Sequence, residues 1–144
     1  MERIDNHGGT AMRDALSATI DYVKTEGKRD KKVIVMVTDG NDNSSSKVSL
    51  EGLLRTTRES EVLIYSIGLL SEEEKSEARK AKRALDNLAE VSGGFAYYPK
   101  DLEEVERITP RIAHEIIEHN AAPGALDELA LVGIRTRGVP IAKR

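Results

Sequence analysis

The sequence of 144 residues contains no cysteine and no tryptophan. The missing thiols exclude a disulfide framework, thiolate catalysis and Cys-ligated zinc or iron–sulfur centres, while leaving the compartment open. Aromatic residues amount to 3% of the chain, namely Tyr22, Tyr65, Phe95, Tyr97 and Tyr98. That supply is too small for a base-stacking platform or an aromatic cage. There is no excess of positive charge either: 22 Lys and Arg stand against 25 Asp and Glu, a net charge of −3. A nucleic-acid partner is therefore not expected. No apolar stretch approaches the roughly 18 residues of a membrane span, and Met1 to Asp5 lacks the apolar core of a signal peptide. What is present, 39% hydrophobic and 33% charged residues, is the composition of a folded globular domain.

Three short apolar segments alternate with helical patterns. Val33-Ile34-Val35-Met36-Val37-Thr38 is β-branched and lacks polar alternation, which marks a strand covered on both faces. Val62 to Ile67, closed by Gly68, is a second such run, and Phe95-Ala96-Tyr97-Tyr98 is a shorter third. Their spacing, near the roughly 30 residues of a strand–helix–strand crossover, predicts an α/β fold. We expect a Rossmann-like parallel sheet with helices on both faces, about three strands and four helices. The first helix lies between Thr10 and Gly27, with Met12, Leu16, Ile20 and Val23 at helical spacing. The second has Ser49 as N-cap, a Val48–Leu53 staple, and Leu50, Leu53, Leu54 and Thr57 inward. The third is predicted from about Ser71, with its stripe on Ala78, Ala81, Leu85, Leu88 and Val91. The fourth runs from about Leu102 through Val105, Ile108, Ile112 and Ile116; Pro110 either kinks it or opens a new helix capped by Thr109. Residues 1–7 form a short lead, 8–119 the domain, and 120–144 a tail expected to be poorly ordered or loosely docked.

Ligands of open parallel sheets bind beyond the carboxyl ends of the strands. Thr38-Asp39-Gly40-Asn41-Asp42-Asn43-Ser44-Ser45-Ser46 stands there, after the strongest strand. Its carboxylates and hydroxyls are hard donors suited to Mg²⁺, Mn²⁺ or Ca²⁺, although Asp-Gly-Asn is also ordinary turn chemistry. Asp39 is the candidate ligand, and Asp42 is read as holding the turn. Thr10 offers a hydroxyl either as a ligand or as the cap of the first helix. Other constellations fail. His114 and His119 are five residues apart, which turns them about 140° away from each other on a helix, so they do not form a zinc-protease pair. Gly8-Gly9 lacks the Gly-Lys-Ser/Thr ending of a phosphate loop.

Gly8-Gly9-Thr10 opening a helix, the buried strand ending in Thr38-Asp39-Gly40, and Ile67-Gly68 closing the next strand resemble the von Willebrand factor A (VWA) domain. Leu85-x-x-Leu88-Ala89 and Gly93-Gly94-x-x-Tyr97-Tyr98 before a last helix continue the resemblance in order. The likeness implies a non-enzymatic protein-interaction or adhesion module. In the family, a metal-ion-dependent adhesion site is built from Asp-x-Ser-x-Ser, a distant Thr and a distant Asp, and a partner's acidic residue completes the ion. Thr10 and Asp39 correspond to the last two, but no Asp-x-Ser-x-Ser stands ahead of Thr10, where the family has it; the run Asp42-Asn43-Ser44-Ser45-Ser46 has that spacing but lies on the wrong loop, after Asp39. The expectation is thus a partial VWA fold that binds Mg²⁺ (or Mn²⁺ or Ca²⁺) weakly or not at all by itself. The strand that normally lies beside residues 33–38 is also missing, which predicts self-association through that edge. The alternative reading is a Mg²⁺-dependent phosphotransfer or hydrolytic enzyme that uses Asp39.

Overall fold

The computed structural model describes residues 11–28, 31–39, 42–71 and 73–119. In chain order the elements are α1 (Met12–Glu26), β1 (Lys32–Thr38), α2 (Leu50–Ser60), β2 (Val62–Gly68), α3 (Lys75–Ser92), β3 (Ala96–Tyr97) and α4 (Leu102–His119). The strands form one sheet in the order β1-β2-β3. Both pairings are parallel, in a register running from Lys32 beside Val62 to Thr38 beside Gly68. This is the expected Rossmann-like α/β arrangement, with three strands and four helices. Residues 1–10, with Thr10 among them, and the tail 120–144 lie outside the described residues, as does the expectation about the tail's order.

Successive strand residues face opposite sides of a sheet, and the side chains divide accordingly. Ile34, Met36, Val62 and Ile64 point to one face, where they meet Met12, Leu16 and Ile20 of α1, Leu53 of α2, and Leu85 and Leu88 of α3. Tyr65 and Ile67 point to the other, together with Val33, Val35, Val37 and Leu63, against Ile108, Ile112 and Ile116 of α4. Among the described residues, three helices therefore cover one face and one helix covers the other. The difference is visible in β1, where Ile34 and Met36 are buried while Val33, Val35 and Val37 are only half-buried.

Most helix boundaries follow the predicted capping chemistry. Ser49 accepts the Gly52 N–H at 3.1 Å and Val48 packs on the core beside Leu53, so α2 starts where its cap and staple place it. Its fully buried positions are Leu53, Thr57 and Ser60, with Leu50 and Leu54 only half-buried. The helix α3 begins at Lys75 rather than near Ser71, because a turn from Leu70 to Glu73 comes first. Pro110 neither breaks nor restarts α4, which is one helix of 18 residues.

Tyr65 is fully buried in β2, yet its hydroxyl has no hydrogen-bond partner among the described residues. Burial, with the negative charge of Glu115 nearby, holds the phenol above its ordinary pKa. A buried hydroxyl without a partner costs about 1–3 kcal/mol of lost solvation. Tyr65→Phe is accordingly expected to leave stability unchanged or to raise it by about 1 kcal/mol, read from urea unfolding; a loss above that figure would mean the hydroxyl has a partner in solution.

Candidate functional site

The buried Thr38 ends β1, and its carbonyl accepts the Leu69 N–H at 2.8 Å, so the last residue of the strand is anchored to the end of β2. Asp39 follows directly and is half-buried. It therefore stands where the sequence places it, at the carboxyl end of the sheet. Thr10, the other predicted ligand, lies outside the described residues, and the N-cap position of α1 falls on Ala11.

Ala11 has no side chain that can cap a helix, whereas the first turn of any helix exposes N–H groups that need acceptors. Here the acceptors come from the loop after β1. The Arg13 N–H donates to Asp42 Oδ2 at 2.6 Å and the Asp14 N–H to Ser45 Oγ at 3.1 Å. The Arg13 guanidinium adds Nη2 to Asp42 Oδ1 at 3.3 Å and to the Ser45 carbonyl at 3.5 Å. Its Nε sits 3.2 Å from Asp42 Oδ2 but is not aligned for a hydrogen bond, so that contact is purely electrostatic. Asp42 also accepts the Ser45 N–H at 3.0 Å and the Ser45 hydroxyl at 2.5 Å, which makes it the turn-holder the sequence suggests and a tertiary anchor as well.

The exchange is reciprocal. The Asp14 carboxylate accepts three consecutive backbone N–H groups, from Ser46 at 3.0 Å, Lys47 at 3.2 Å and Val48 at 2.9 Å. Those residues lead straight into the Ser49 cap of α2, so one loop couples the starts of two helices to the end of a strand. Hydrogen bonds from Ser46, Val48 and Lys47 outweigh desolvation and hold the Asp14 pKa below its ordinary value. For Asp42, burial pushes upward, but the bonds from Ser45 and Arg13 win and the pKa is again lowered. Arg13, Asp14 and Ser45 carry no local sequence signal for this role, because their partners lie about 30 residues away.

The consequence for a cation follows from donor availability. Asp14 and Asp42 are committed to amides and to Arg13, while Asp39, directly after β1, has no such bond among the described residues. No group of three or more potential metal ligands occurs among the described residues. They do not by themselves make a cage for a hard cation, which needs about six oxygens. On α4, His114 is exposed and lies 3.2 Å from Glu118 on the same helix, consistent with a solvent-side histidine.

The profile of the von Willebrand factor type A domain matches residues 1–111, more than half of the chain. The chain belongs to the VWA domain family. A similar fold is seen in a crystal structure of an uncharacterized membrane spanning protein from Vibrio fischeri, at a TM-score of 0.50 and 16% identity, over 74% of this chain and 56% of that one. That likeness concerns the fold alone. No helix among the described residues of this VWA chain is long and apolar enough to cross a membrane.

A second, local similarity accompanies the VWA match. The bifunctional protein PyrR of Alkaliphilus metalliredigens is 61% identical over 44 residues, which is 31% of this chain and 22% of that protein. PyrR of Deinococcus deserti is 60% identical over 42 residues, 29% of this chain and 21% of that protein. The chain thus spans about a fifth of the length of these relatives. The 44-residue stretch is longer than the part of the chain beyond the VWA match, so the two similarities share residues.

Proposed function

We propose that this VWA domain is a non-enzymatic protein-interaction module whose binding face is the carboxyl end of the sheet, around Asp39 and the loop 42–48. The observation that supports this reading is the division of labour among the acidic residues. Asp14 and Asp42 fix the loop internally, while Asp39 projects from the anchored strand end with its bonding capacity uncommitted among the described residues. A loop held by its own side chains presents one surface to a partner and loses little conformational freedom on binding.

Asp39, with Thr10 from the family correspondence, is the limited set of ligands this chain would offer to Mg²⁺, Mn²⁺ or Ca²⁺. One carboxylate and one hydroxyl leave a hard cation mostly hydrated, so retention by this chain is weak. Calorimetric titration with Mg²⁺ and Mn²⁺ is expected to show millimolar affinity or none, and any millimolar binding should be lost in Asp39→Ala. A dissociation constant of about 10 µM or tighter would overturn the reading of an incomplete site. Incubation with Mg²⁺ and beryllofluoride is expected to leave Asp39 unmodified, whereas an adduct there would favour phosphotransfer chemistry instead. The PyrR-like stretch is small for a domain with its own core, and we read it as a shared structural segment rather than a shared activity.

A further inference from the structure

The carboxyl end of β3 and the first half of α4 enclose an open cleft of about 400 Å³, within the range of sites that take small molecules. Tyr97 and Tyr98 line one side, and Glu104, Arg107, Ile108 and Arg111 line the other. The helical side is a single stripe, because positions i, i+3, i+4 and i+7 share one face of a helix. The cleft stands apart from Asp39: in the order β1-β2-β3 it is two strand positions, about 10 Å, from β1.

Both sides of the cleft are fixed by bonds of their own. Asp101 Oδ1 accepts the Glu104 N–H at 2.8 Å, and the Glu104 carboxylate accepts the Lys100 N–H at 2.7 Å, which sets the first turn of α4. Ile108 packs into the core of the second face. The Tyr97 hydroxyl donates to Glu115 at 3.1 Å and the Tyr98 hydroxyl to Asp86 at 2.6 Å, so the tyrosines offer the cleft their rings. Burial and the bond to Glu115 push the Tyr97 phenol up to about 12, which keeps it neutral at pH 7. The arginines are differently placed. Both are exposed, and residues four apart on a helix stand about 5–6 Å from each other at Cβ. Neither guanidinium has a carboxylate within ion-pair distance among the described residues. Arg107 spends Nε on the Glu103 carbonyl at 3.4 Å, which leaves its two Nη groups for a ligand.

We infer that this cleft binds a monocarboxylate carried on an apolar or aromatic body. Arg107 and Arg111 grip the carboxylate, for which a planar guanidinium fork is the matching donor. The rings of Tyr97 and Tyr98 and the side chain of Ile108 receive the body. Charge selects this class over phosphate. Glu104 in the cleft and Glu115, one turn beyond Arg111, offset much of the positive field, so a dianion gains little there. A single negative charge with apolar surface gains from both sides of the cleft. A free organic acid and the C-terminal residue of a peptide share this chemistry.

The test is an NMR titration of the isotope-labelled full chain at constant ionic strength and without divalent cations, so its result is independent of the reading of Asp39. The probes are phenylpropionate, inorganic phosphate, and the tripeptide Ala-Ala-Phe with a free or an amidated C-terminus. Phenylpropionate, with about eleven non-hydrogen atoms, is expected to bind with a dissociation constant of about 1–5 mM. The amides that shift should be those of Tyr97, Tyr98, Arg107, Ile108 and Arg111. Arg107→Gln combined with Arg111→Gln should weaken binding by about tenfold or more, with the rest of the spectrum unchanged because both side chains are exposed. Binding of the tripeptide acid but not of its amide would make a peptide terminus a source of the carboxylate, and binding of phenylpropionate alone would make it a free acid; both support the inference. No shift in the cleft at about 20 mM phenylpropionate, several times the expected constant, would overturn it. So would binding indifferent to the double substitution, an amide that binds as well as its acid, or phosphate that binds as tightly as phenylpropionate.

Discussion

Gly94→Ala is expected to destabilise the protein by about 3 kcal/mol or more, measured by urea unfolding. A Cβ at this position would lie 2.1 Å from the Ile64 carbonyl oxygen and 2.7 Å from its carbonyl carbon. Both are backbone atoms of the central strand, so no side-chain rotation relieves the clash. Overpacking of flexible core sites typically costs about 1–3 kcal/mol, and a backbone collision belongs at or beyond the top of that range. The surroundings explain the tight fit. Gly93 ends α3 with φ at +79°, the Gly94 N–H returns to the Ala89 carbonyl at 3.1 Å, and Ser92 Oγ accepts the Ile64 N–H at 3.1 Å. Pushing this turn outward would also weaken the Ser66 N–H bond to the Phe95 carbonyl, which starts the pairing of β2 with β3. Gly52→Ala provides the contrast, since its new Cβ would meet only Ser49 Oγ at 3.2 Å and a helix interior favours alanine by about 1 kcal/mol. Its net effect is expected to stay within about 1 kcal/mol. If Gly94→Ala were equally mild, the close approach of α3's end to β2 would be wrong.

The second large effect is expected at the clamp between α1 and the loop after β1. Asp42→Ala removes the acceptor for two backbone N–H groups and leaves the Arg13 guanidinium without its carboxylate. The Asp42 side chain is 6% exposed and that of Arg13 is 26% exposed. Breaking a fully buried pair costs about 3–5 kcal/mol, and partial exposure of the arginine reduces this to about 2–4 kcal/mol. The effect must depend on pH. Asp42 titrates below its ordinary value when folded, so the unfolded chain binds the proton more tightly. The contribution is therefore complete above the unfolded carboxylate value near about 4 and disappears as the pH falls through the lower folded value. Asp42→Ala should cost its full amount at pH 7 and much less at pH 3. A deficit equal at both pH values would show that lost packing, not the charged clamp, causes it. Asp14→Ala should follow the same pH trend, because its carboxylate is also held low by the amides it accepts.

The elements were legible because their signals are local. The unbroken β-branched run at residues 33–38, Ser49 ahead of α2 and glycine after α3 each report a conformation decided within a few residues. The placement of Asp39 followed from an architectural rule, that the ends of parallel strands face the ligand side. The clamp was not legible, since Arg13 and Asp14 look like any charged pair at the start of a helix. Their partners Asp42, Ser45 and Ser46 stand 29 to 32 residues away, and only folding brings them together. Pro110 is a related case. A proline is compatible with either a break or a continuous helix, and the burial of both Ile112 and Ile116 against one sheet face favours continuity.

The uneven covering of the sheet also sets the order in which the molecule opens. The face under α1, α2 and α3 is cross-braced, since α1 touches the loop, the loop starts α2, and the end of α3 is wedged on β2. On the other side α4 is held by Ile108, Ile112 and Ile116 and by the Tyr97 hydroxyl on Glu115 at 3.1 Å. Pro110 further removes one rung of its amide ladder. Among the described contacts those of α4 are the fewest, so α4 is expected to lift as a unit below the free energy of global unfolding. Each such event uncovers Tyr65 and Ile67, which are shielded in the closed form. Proteolysis, hydrogen exchange and any aggregation under mild stress should therefore start on this face, while the three-helix side keeps its native packing.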